Sequence, residues 1–162
     1  MNEPTIRGPS MTEPQAEGTR SAFHAEAETR ASPDAIWRVW TDVARWPAWD
    51  TELESARLNS AFEAGATGVL KGRGNPESGF VIEAVNVGSS YRFVTQLPLG
   101  GRLVIDRTLT PLERGTRFRH DVRFEGFGGA VLSLFLGGRY REALPGVLAR
   151  IQALAEGEEA AR

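Results

Sequence analysis

The sequence predicts an α+β fold in which a curved antiparallel sheet of about seven strands wraps one long C-terminal helix, with two short helices after the first strand. Three patterns lead to this. Residues 21–30 alternate apolar and polar with a period of two; six more strand-like runs separated by turn residues follow between Glu52 and Glu125; beyond Gly129 the apolar period becomes helical.

At 162 residues the chain is the size of one ordinary domain, with enough length to bury a core without staples. Its 41% hydrophobic and 25% charged residues fit a globular protein. A formal net charge of -2 argues against a nucleic-acid partner, which needs a concentrated basic face. The absence of cysteine excludes disulfides, thiolate metal sites and cysteine nucleophiles. The opening residues lack a signal-peptide pattern and no apolar run approaches the roughly 20 residues of a membrane span, so no integral membrane association and a cytoplasmic location are expected.

Residues 1–20 carry Pro4, Pro9 and Pro14 among few bulky apolar residues, and read as a disordered N-terminal tail in which Met11 is an alternative start. The domain is expected over 21–157, with 158–162 a disordered C-terminal tail. In the first strand Phe23, Ala25, Ala27 and Thr29 face one way, and His24, Glu26, Glu28 and Arg30 the other. Ser32-Pro33-Asp34 then supplies a helix start: a capping hydroxyl, a proline whose missing N–H costs nothing there, and an acid at the positive end of the dipole. Ile36, Trp37 and Trp40 follow at helical spacing, and Thr41-Asp42 opens a second short helix that Pro47 limits.

Strands are expected over residues 52–59, 68–73, 80–85, 91–97, 103–110 and 116–125. Gly88-Ser89 marks a two-residue hairpin, and Pro98-Leu99-Gly100-Gly101 and Leu112-Glu113-Arg114-Gly115 mark further turns. After Gly126-Phe127-Gly128-Gly129, Leu144, Val147, Leu148, Ile151 and Leu154 form one apolar stripe. Gly137-Gly138 and Pro145 predict a bend or a frayed first half in that helix.

Three stretches carry a family resemblance: Ala31-Ser32-Pro33-Asp34-Ala35-Ile36-Trp37, the run from Thr41 through Trp46-Pro47-Ala48-Trp49-Asp50, and Leu109-Thr110-Pro111-Leu112-Glu113-Arg114-Gly115-Thr116-Arg117. They resemble the START-like (SRPBCC) superfamily of polyketide cyclase/dehydrase and lipid-transport proteins, over about Ser21 to Glu156. The resemblance implies a helix-grip fold with a cavity between sheet and long helix. Members include binders of sterols, lipids, hormones and quinones, aromatic cyclases and co-chaperone-like proteins. The superfamily has no universal catalytic motif, so no catalytic role carries over.

A four-residue loop at Leu112 to Gly115 sets Leu109 opposite Phe118, Arg107 opposite His120, Ile105 opposite Val122 and Leu103 opposite Phe124, which keeps both apolar series on one face. This puts Arg107 and His120 side by side on the concave face, next to Phe118. A neutral imidazole beside a guanidinium can hydrogen-bond a ligand carbonyl or hydroxyl, and the guanidinium can clamp a carboxylate. The ordinary alternative is that Arg107 pairs with an unplaced acid and His120 is a satisfied core residue. Tyr91, Phe93 and Thr95 are expected on the cavity floor. Trp37, Trp40 and Trp46 are expected to seal one end of the barrel, and Trp49 to stand at the pocket mouth. His24 reads as a surface residue.

Glu52 and Glu54 share a strand face, but no third metal ligand accompanies them, and a solvated edge explains them. The glycine-rich loops lack the strand-to-helix context of a phosphate cradle, and hydrolase and metalloprotease motifs are absent. No metal, nucleotide or other cofactor is expected. The leading expectation is a binder of a small, mostly apolar molecule of polyketide, lipid, isoprenoid or quinone type. The alternatives are a cyclase/dehydratase-like lyase using His120 as acid/base and Arg107 to polarise a carbonyl, and a co-chaperone-like module using its outer surface for a partner the sequence does not name.

Overall fold

The computed structural model describes residues 13–162. The strands are β1 (Ala16–Gly18), β2 (Ala22–Thr29), β3 (Leu53–Leu58), β4 (Thr67–Gly72), β5 (Glu77–Asn86), β6 (Ser90–Leu97), β7 (Gly101–Pro111) and β8 (Thr116–Glu125). They form one antiparallel sheet in the order β1-β2-β8-β7-β6-β5-β4-β3, a meander whose first two strands join its far side through β8. Helix α1 (Pro33–Thr41) and a 3-10 helix (Val43–Ala48) follow β2. The chain closes on a continuous helical stretch made of α2 (Gly126–Leu132), a π segment (Ser133–Gly137) and α3 (Gly138–Ala160). This is the helix-grip arrangement, with eight strands where seven were expected.

The extra strand is β1. It pairs Ala16 with Ala25 and Gly18 with Phe23 inside the stretch read as a tail; residues 1–12 of that stretch lie outside the described residues. Backbone pairing to an existing edge needs no apolar side chains, so composition did not announce it. At the other end, Glu158 and Glu159 belong to α3 and not to a tail. Glu158 pairs with Arg45 at 2.9 Å, Glu159 accepts from the Ser32 amide at 3.0 Å, and one turn earlier Glu156 accepts from the Thr29 hydroxyl at 2.7 Å. These acids fasten the end of α3 to the corner between β2 and α1. Ser32 caps α1 as its sequence predicts, accepting from the Ala35 amide at 3.2 Å.

The β7–β8 register is the expected one: Arg107 faces His120, Leu109 faces Phe118, and Pro111 pairs with Thr116 across the four-residue loop. The β5–β6 turn instead has three residues, Val87 to Ser89, with Gly88 at φ +76°, because Asn86 pairs with Ser90. The helix also starts sooner than its glycines suggest. Gly128 lies so close to the β6–β7 loop that a Cβ there would sit 1.8 Å from the Pro98 carbonyl oxygen, so this glycine serves close packing and not a turn. The interruption expected at Gly137-Gly138 and Pro145 takes the form of the π segment, and Pro145 lies inside α3. Trp40, Trp46 and Trp49 are all fully buried between the two short helices and the sheet.

Candidate functional site

A cavity of about 270 Å³ lies between the concave face of the sheet and the C-terminal helix. Its wall is mostly apolar: Phe93, Ile105 and Val122 stand on the sheet side, and Leu132, Leu136 and Leu144 on the helix side. Strand alternation sends Thr95 on β6, Arg107 on β7 and His120 on β8 inward to the same space, where Asp50, just after the 3-10 helix, joins them.

Arg107 is the centre of this group. Its side chain is 2% exposed, yet no carboxylate oxygen of the described residues lies within 4.0 Å of its guanidinium. Four aromatic rings surround it instead, with centroids at 4.6 Å (Trp49), 5.0 Å (Trp46), 5.1 Å (Phe93) and 5.4 Å (Tyr91), distances at which ring faces attract a cation. Nη1 donates to the Tyr91 hydroxyl, while Nε has no protein partner. Burial raises the Tyr91 pKa against the opposing pull of Arg107, so the phenol keeps its proton.

His120 is 1% exposed and packs against Trp40 and Trp49, at 5.5 and 6.3 Å between ring centroids. Burial, with the Arg107 charge behind it, holds its pKa well below 6.5, and the ring is neutral at pH 7. Its Nε2 has no partner, nor does the buried hydroxyl of Thr95. Asp50 accepts from the Glu52 amide at 3.1 Å; burial raises its pKa, partly countered by Arg107.

Of the residues singled out in the sequence, Phe93, Thr95, Arg107 and His120 line the cavity. Tyr91, Trp49 and Phe118 are buried behind them. Tyr91 and Trp49 touch Arg107, and Phe118 packs edge-on against Trp40 at 6.3 Å. Trp49 is therefore not at a pocket mouth: the 3-10 helix turns it inward under the guanidinium, where it is 0% exposed. Glu52 and Glu54 do not share a face, since an irregularity between Leu53 and Ser55 separates them. Glu54 pairs with Lys71 at 2.7 Å, whereas Glu52 lines the cavity and pairs with Arg139 of α3 at 2.7 Å, which replaces the solvated edge for that residue. Asp50 was missed, although an inward arginine called for an acid somewhere near. Leu132 and Leu136 were missed because the glycines around them hide the helical period.

Among the described residues no group of three or more histidine and acidic side chains is placed to hold a metal ion, and no helix is long and apolar enough to cross a membrane. A family model described as polyketide cyclase / dehydrase and lipid transport matches residues 20–156. No curated protein matches the chain. Solved structures of the same fold include protein MLL2253 from Mesorhizobium loti, at 16% identity and TM-score 0.67 over 83% of this chain and 96% of that one. Ara h 8.0201 is similar at 14% identity and TM-score 0.65, over 84% of this chain and 97% of its own. DynU16, from the dynemicin biosynthetic locus, is similar at 17% identity and TM-score 0.64; the match spans 84% of this chain and 47% of that longer one. At such identities the likeness is one of fold.

Proposed function

The chain belongs to the polyketide cyclase / dehydrase and lipid transport family, and from that premise we propose that it binds one small, mostly apolar molecule of polyketide, lipid, isoprenoid or quinone type in the cavity under its C-terminal helix. The observation that carries this reading is an apolar chamber of about 270 Å³ into which buried polar side chains project with atoms left unpartnered. Burying a polar group without a partner costs about 1–3 kcal/mol, and a protein retains such groups where something else completes them. The apolar wall supplies affinity through the area it removes from water, and the few polar atoms orient the bound molecule.

Native mass spectrometry of the purified protein, followed by denaturing extraction, tests the reading. A small apolar molecule is expected to accompany the folded protein, and to be lost when Leu144→Trp fills the chamber. Purified protein that binds no apolar compound, natural or added, refutes it.

A neutral His120 beside the Arg107 cation also suits acid/base chemistry on a bound carbonyl compound, with His120 taking a proton and Arg107 stabilising the oxygen that gains charge. The two readings part at His120→Ala, which abolishes turnover in an enzyme and only retunes affinity in a carrier. The interaction-module alternative draws on exposed Leu99, Phe127, Leu134 and Phe135, but it leaves the chamber of about 270 Å³ without a role.

A further inference from the structure

We infer that the molecule bound in the cavity carries an oxyanion, a carboxylate or a group of like charge and geometry, that docks on Arg107 and His120; this rests on the cavity being the binding site. The argument is a count of donors and of charge. Arg107 Nε–H, buried and unpartnered, can only donate. The unpartnered atoms of His120 and Thr95 can each carry a hydrogen and donate as well. What Arg107 lacks is therefore an acceptor, and His120 and Thr95 beside it can donate to the same one.

Charge narrows the choice among acceptors. A carbonyl would satisfy the N–H groups and leave the guanidinium without a counter-ion. The cation is held by four ring faces and one hydroxyl. Asp50 faces the same cavity but makes no ion pair with it, and burial raises its pKa from the usual carboxylate value, partly countered by Arg107. Glu52 is occupied by Arg139, at 2.7 Å. An anion arriving at Arg107 thus meets a buried charge that no carboxylate of the described residues contacts, with a free N–H, in surroundings where a charge-assisted hydrogen bond is at its strongest. The rest of the molecule is mostly apolar, because leucine, isoleucine, valine and phenylalanine dominate the wall away from Arg107, with Glu52, Asn75, Ser78 and Gln96 among its polar members. The class is an amphiphile with one acidic end.

The test uses N-phenyl-1-naphthylamine, a neutral apolar fluorophore, with decanoate and decan-1-ol as competitors of matched chain length, and calorimetry of both competitors alone. Wild-type protein should bind decanoate at least about tenfold more tightly than decan-1-ol, the worth of one hydrogen bond to a charged group. Arg107→Met should bring decanoate down to the alcohol's affinity while the fluorophore still binds. Equal affinities in the wild type overturn the oxyanion inference and leave the apolar pocket standing; that comparison needs no variant to fold. A preference that survives Arg107→Met also overturns it, by placing the anion elsewhere. If neither competitor binds and the fluorophore reports no site, the cavity reading fails and takes this inference with it.

Discussion

Asp106 and Arg107 are neighbours on β7, and they inhabit opposite electrostatic worlds. On the outer face of the sheet Asp106 accepts from Arg92 at 2.7 and 3.2 Å and from Arg123 at 2.8 Å, and Arg119 pairs with Asp121 at 2.7 and 2.8 Å. Each of these side chains is 20–42% exposed, so water and salt screen whatever the pairing leaves over. One residue further along, on the inner face, Arg107 is 2% exposed and has no carboxylate of the described residues to pair with. The outer face is complete in itself. The inner face holds its charge by aromatic contact and one tyrosine hydroxyl, and leaves polar atoms without protein partners.

The comparison can be broken first at the aromatic surround. Trp46→Ala removes both a fully buried ring and one face of the Arg107 cage, and is expected to cost about 3–5 kcal/mol of folding stability in urea titration. A loss below 1 kcal/mol would mean the rings do not hold the cation. The next effect is on pH dependence. The folded-state pKa of His120 lies below that of the unfolded chain, so as pH falls through about 6.5 the unfolded chain binds the proton first and stability is lost; the slope approaches about 1.4 kcal/mol per pH unit. His120→Asn should flatten the curve below pH 6.5, and an unchanged slope would contradict the neutral, buried ring. A smaller effect is expected at Asp50, whose pKa an incoming anion pushes further up. Decanoate binding should take up a fraction of a proton, seen by calorimetry in buffers of different ionisation heat, and Asp50→Asn should abolish the uptake. The least effect belongs to the outer face: Arg92→Gln is expected to cost about 1 kcal/mol or less, shrinking as salt is added. A larger cost that resists salt would erase the contrast between the faces.

Much of this contrast was legible beforehand. A period-two strand with a turn of known length decides which residues face inward, and so Arg107 could be placed against His120 from spacing alone. Phe93 and Thr95 followed from the same rule. The residues missed or misplaced sit where periodicity carries no information. Asp50 and Trp49 lie at the exit of a 3-10 helix, where backbone direction is set by tertiary packing; β1 is held by backbone bonds; and Leu132 and Leu136 sit in a run of glycines whose small size serves the β6–β7 loop. Periodicity reports the faces of regular elements, and corners have none.

The π segment has a consequence for how this chain tolerates change. Leu132, Leu136, Tyr140 and Leu144 line the cavity at intervals of four, a spacing that drifts by about 40° per repeat around a regular α-helix. The wide turn at Ser133 to Gly137 absorbs one surplus residue and brings the row back into phase. Chain length between Gly126 and Leu144 is therefore quantised. Deleting a single residue there would close the wide turn and rotate everything before it by about 100°, swinging Leu132 off the chamber and bringing a different side chain in its place. For the evolution of this pocket, a deletion of one residue in the helix is a change of lining, not merely of length.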